Sequence, residues 1–83
     1  MGKLVLYLVE WTRQEPRSVD AWNQLRAGYV TLRQYEDALT AAKKAAELKP
    51  DDATLRARIG DVHAYRDDPA AALAAYEEAA SRD

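Results

Sequence analysis

The sequence predicts an all-α fold of about five helices, arranged as antiparallel helix-turn-helix repeats. Three observations predict it. Trp22, Leu25 and Tyr29 recur at helical spacing and share one face. Ala38, Ala42 and Ala45 do the same on the next stretch, and Leu48 extends that face. Arg33, Gln34 and Tyr35 interrupt the two, and Pro50 removes a backbone donor and stops the second helix. The chain also matches itself at an offset of 34 residues. Pro16 then stands against Pro50, Leu25 against Ile59, Ala38 against Ala72 and Ala45 against Ala79, with Tyr29 against His63 and Ala42 against Tyr76. Seventeen alanines, three glycines and no phenylalanine favour helix and imply close helix contacts rather than a bulky core.

The elements follow in order. Lys3 to about Gln14, closed by Glu15-Pro16, is in register with the later second helices, so residues 3–16 read as the second helix of a partial preceding repeat. Leu4, Leu8 and Trp11 fall where Ala38, Ala42 and Ala45 fall later. LVLYLV at Leu4–Val9 has strand-like composition, but this register favours helix. Leu6, Tyr7 and Val9 make the helix apolar around much of its circumference, which asks for neighbours on most sides. Residues 19–52 form one complete repeat. Its first helix runs from about Asp20 to Thr31 with Ser18 as N-cap, and its second from Tyr35 to Leu48 with Lys43 and Lys44 toward the C-terminal half, where cations suit the helix dipole. Residues 53–83 form a second repeat, truncated at its C-terminal end. Asp51 and Asp52 can cap its first helix, Ala53 to Tyr65. Asp68 followed by Pro69 is a start signal for the last helix, which runs to about Ser81. No polar capping helix follows, so the expectation is a piece of a longer solenoid.

The 19–52 stretch resembles the tetratricopeptide repeat family. Trp22, Leu25, Tyr29, Ala38, Ala45 and Pro50 carry the resemblance, at the period that family keeps. Two positions depart. Arg26 stands where the family has a small residue, and Ala42 where it has an aromatic one. Trp11, on the preceding helix, is likewise large at a position the family keeps small.

Catalytic chemistry finds little support. There is one histidine and no cysteine, which excludes disulfides and thiolate zinc sites. His63 has no second nitrogen or sulfur ligand beside it and reads as a packing residue. The pairs Asp67–Asp68 and Glu77–Glu78 read as a cap and a solvated face, with nothing to shift their ionisation. The expectation is a protein that is no enzyme and holds no cofactor or metal. A formal net charge of −2, without a basic cluster, argues against nucleic acid. The apolar run Leu4–Val9 has six residues, against roughly 20 for a membrane span. No signal segment is present either, so a soluble, by default cytoplasmic, chain is expected.

Function is expected on a surface. The resemblance implies that the first helices of successive repeats line a concave side where peptides or helices of partner proteins lie. By register the residues on that side are Asp20, Asn23, Gln24, Ala27, Val30 and Thr31, then Thr54, Ala57, Arg58, Asp61, Ala64 and Tyr65. Asn23 and Gln24 both donate and accept, as a peptide backbone requires. Arg58 can hold a carboxylate with two hydrogen bonds, with Asp61 as competitor on its own helix. Arg26 is expected to lay its stem along apolar surface and keep its head in water, or to be accommodated by an outward rotation of its helix. Some family members clamp a C-terminal carboxylate with Lys and Asn residues. Asn23, Ala27 and Arg58 occupy three of those positions, and the Lys and first Asn are missing, so no chaperone-tail clamp is expected. Two alternatives remain. One is an assembly element that self-associates as a homo-oligomer through its exposed terminal helices, with Leu6, Tyr7 and Val9 at the contact. The other is a regulatory segment of a larger protein.

Overall fold

The computed structural model describes residues 2–81. It holds five helices, α1 (Gly2–Gln14), α2 (Val19–Thr31), α3 (Tyr35–Leu48), α4 (Ala53–Tyr65) and α5 (Pro69–Ser81), and among the described residues all regular structure is helical. Helix boundaries fall within one residue of those expected. α2 starts at Val19 because Ser18 is the cap, its Oγ accepting from Ala21 N at 3.1 Å. Asp52 Oδ1 caps α4 by accepting from the backbone N–H groups of Thr54 and Leu55, and Asp68 Oδ1 caps α5 by accepting from Ala71 N. These bonds satisfy donors that every helix start leaves without intrahelical partners.

The ends of α2 and α4 are built alike, 34 residues apart. Arg33 and Asp67 adopt positive φ, 60° and 61°. The next residues, Gln34 and Asp68, donate back to the carbonyls of Tyr29 and His63, both at 2.9 Å. This is a Schellman closure, in which one left-handed residue turns the chain and satisfies carbonyls of the last turn.

Packing is between neighbours in sequence: α1 on α2, α2 on α3, α3 on α4 and α4 on α5. Three apolar clusters mark these seams. Leu8, Leu25 and Ala41 form the first, Ala38, Leu39 and Val62 the second, and Ala45, Ala46 and Leu55 the third. Trp22, Tyr29 and Ile59 each belong to two clusters and join them. The alanines of α3 are the reason the helices approach closely: Ala38, Ala42, Ala45 and Ala46 are at most 2% exposed. The Trp22 indole is held at its rim, where Nε1 donates to Pro16 O at 2.8 Å.

Each departure from the repeat signature has a counterpart one repeat later. At the level of Arg26 and Ala42, the following hairpin carries Gly60 and Tyr76. A Cβ on Gly60 would stand 2.7 Å from the Tyr76 ring, so the large residue of α5 lies directly on the bare backbone of α4. In the preceding hairpin the large residue is on the first helix and the small one on the second.

Candidate interaction face

The register places one polar stripe on α2 and another on α4. Asp20, Gln24 and Thr31 on α2 are exposed, as are Thr54, Ala64 and Tyr65 on α4. Asn23 and Ala27 are half-buried, as are Ala57, Arg58 and Asp61. Val30 is partly turned into the Ala38–Leu39–Val62 cluster. Thr54 and Ala57 line a shallow groove with Ala53, Ala79 and Ala80.

The centre of the face is built around Arg26. Arg26 is buried as a whole, at 9% exposed. Its Nε donates to Asn23 Oδ1 at 3.1 Å, one turn back on the same helix. Burial, and next the charge of Arg58 across the α2–α4 seam, hold the Arg26 guanidinium below its ordinary range, while Asp61 and Tyr65 act in the opposite sense. Arg26, Arg58, Asp61 and Tyr65 thus form one electrostatic group, to which Asn23 is hydrogen-bonded. Asp20, Gln24 and Thr54 lie on the flanks.

Asp61 is engaged from the other side. The Tyr76 hydroxyl donates to Asp61 Oδ1 at 2.6 Å, and that bond pushes the phenol pKa up, with burial and the Asp61 charge adding to it. Arg58 Nε is buried without a hydrogen-bond partner. The seam therefore holds two guanidiniums, while the carboxylate that faces them is shared with a tyrosine. The part of Tyr76 was missed in the sequence. Its only signal there was a large residue where the preceding repeat has Ala42.

Elsewhere, Arg56 pairs with Glu78 at 3.6 Å, and Arg66 pairs with Glu36, tying α4 to α5 and to α3. Among the described residues, no group of three or more His, Cys, Asp or Glu side chains could hold a metal ion, and no helix is long and apolar enough to cross a membrane.

Fold and face define a stack of helical hairpins with one polar face along its first helices. The chain is 42% identical over 57 residues to the Hsp70-Hsp90 organizing protein of Triticum aestivum, a match covering 69% of this chain and 10% of that protein. Its structure is similar to that of a mutant of MamA, with a TM-score of 0.83 at 18% identity, over 92% of this chain and 56% of that one. The chain thus spans about a tenth of the length of its curated relative and just over half of the solved one. No protein-family model matches it. Signature, 34-residue period and the likeness to the organizing protein make the chain a member of the tetratricopeptide repeat family, and the likeness to MamA shows the same fold.

Proposed function

We propose that the chain is a protein-interaction module that docks a peptide or helix of a partner protein along the α2–α4 face, and that the docked segment is acidic. The observation that carries this is the unbalanced charge in the seam. Arg26 and Arg58 repel one another, and the Asp61 carboxylate is already bound by Tyr76. A partner carboxylate would relieve that repulsion and accept from the terminal nitrogens of the half-buried Arg58. Asn23 and Gln24 supply donors and acceptors for the segment's backbone, Tyr65 an amphipathic contact, and Asp20, Ala27, Val30, Thr31, Thr54 and Ala57 the flanks. The role is binding rather than catalysis. The relative's name concerns organising Hsp70 and Hsp90, which supports a scaffold role here. Capture of chaperone tails is not part of the proposal, because the Lys and first Asn of that clamp are missing.

An acidic helical peptide carrying a fluorophore tests it. Anisotropy is expected to report capture that weakens with added salt, as screening requires. The double variant Asn23→Ala, Arg58→Gln is expected to abolish capture while far-UV circular dichroism stays unchanged. Capture that survives the double variant rejects this face.

A further inference from the structure

A second surface lies on the opposite side of α4, away from the acidic-segment face. There Arg56, Ile59 and His63 floor a groove of about 460 Å³ between α3 and α5. The 34-residue period explains why it is open. The same floor positions one repeat earlier are Trp22, Leu25 and Tyr29, and two of these aromatic side chains bridge apolar clusters. Here Arg56 and His63 replace them, and the α5 wall is only Ala71, Ala74 and Ala75. The replacement leaves two nitrogens unmatched: Arg56 Nε and His63 Nδ1 are buried without a hydrogen-bond partner. A groove with alanine walls and the polar side chains of Arg56 and His63 on its floor suits an occupant with an apolar body and a polar tip.

This chain carries such an occupant on α1. Leu6 and Tyr7 are each 70% exposed and Leu4 is 51% exposed, an apolar patch that the chain's own packing leaves in water. Lys3, Tyr7 and Glu10 share one stripe of that helix. The groove's rim has the matching charges, Lys43 and then Glu47 along α3, with Glu78 opposite on α5. When α1 is laid antiparallel to α3, the Lys3 end of the stripe lies toward Glu47 and the Glu10 end toward Lys43, within reach of the long side chains. Leu8 and Val9 are turned toward α2, in and against the Leu8–Leu25–Ala41 cluster, and take no part.

We propose that the α3–α5 groove receives the outer face of α1 from a second copy of this chain, with Tyr7 seated over Arg56 and His63. α1 packs on α2, two helices away from the groove, so the donor and acceptor surfaces are different patches. Such a contact is heterologous: each copy keeps one free donor and one free acceptor, and association runs head to tail.

Two complementary variants test this. Leu6→Glu with Tyr7→Glu removes the donor and leaves the groove intact. Ala74→Trp fills the groove, at an exposed position, and leaves α1 intact. In sedimentation equilibrium the unaltered chain is expected to grow in mass with concentration beyond a dimer. Each variant alone is expected to stay monomeric with unchanged helicity, and their equimolar mixture to stop at a one-to-one pair. Tyr7→Phe, which keeps the ring and loses the hydroxyl, is expected to weaken association roughly two- to tenfold. Association that persists in Ala74→Trp would overturn the groove as acceptor, because α1 would then be meeting itself or another surface. A mixture that does not pair, or an unaltered chain that stays monomeric at millimolar concentration, would overturn the proposal outright. Arg58→Gln leaves this association unchanged, which separates the outcome from that of the acidic-segment face.

Discussion

Arg26 is the residue where stability and binding pull apart. It is 9% exposed, shares its seam with a second guanidinium and has Asn23 as its hydrogen-bonded neighbour. Burial and the charge of Arg58 disfavour the charged form of Arg26 in the folded state, so an apolar side chain of similar length relieves that cost. Arg26→Met is therefore expected to raise the unfolding free energy by about 1 kcal/mol in urea titrations, and to weaken capture of an acidic peptide. A destabilised Arg26→Met would mean that the cation holds the seam together. Tyr76 gives a second residue-scale prediction. Its phenol pKa is raised chiefly by the bond to Asp61, so the neutral form is favoured in the folded state. The sign follows from linkage: that contribution to stability is complete below the unfolded-state tyrosine pKa and is lost as pH rises through the higher folded value. In ultraviolet titrations Asp61→Asn is expected to bring one tyrosine back toward its ordinary range, and no change would remove Asp61 as the cause. Neither Arg26's burial nor Tyr76's reach was legible in the sequence. Both depend on which neighbouring helix a long side chain meets, and helical spacing reports only the side of its own helix.

At the scale of elements, the signals were local and the sequence stated them outright. Ser18, Asp52 and Asp68-Pro69 are cap chemistry that acts within four residues, and the helices begin where these residues place them. The closures are less economical. Arg33 holds φ at 60°, a conformation that costs a non-glycine residue about 1–2 kcal/mol, and its side chain is exposed. Arg33→Gly is expected to stabilise the chain by about 1 kcal/mol, part of the relief being offset by greater freedom in the unfolded state. Thermal melts that shift downward would show that the Arg33 side chain contributes more than its backbone strain costs. α3 is a different case. Gln34 stands at its N-cap without a side-chain hydrogen bond, and Glu36 and Asp37 in its first turn complement the helix dipole instead.

At the scale of the molecule, helices that pack mainly on their sequence neighbours make a nearly one-dimensional stack, 34 × 26 × 12 Å. Its stability should be greatest in the middle, because α1 and α5 are each supported from one side and α3 from two. Hydrogen exchange is expected to be slowest in α3, where five alanines are all but sealed from water, and fastest in α1 and α5. Equal protection along the chain would contradict a stack of semi-independent hairpins. The paired exchange of Arg26 and Ala42 for Gly60 and Tyr76 bears on how such a chain can change. Shortening Arg26 to glycine alone leaves a hole, and enlarging Ala42 to tyrosine alone has no room, since Ala42 is 2% exposed. Only both together copy the neighbouring hairpin. Arg26→Gly with Ala42→Tyr is therefore expected to melt higher than Ala42→Tyr alone, and equal melting would show that the two positions act independently.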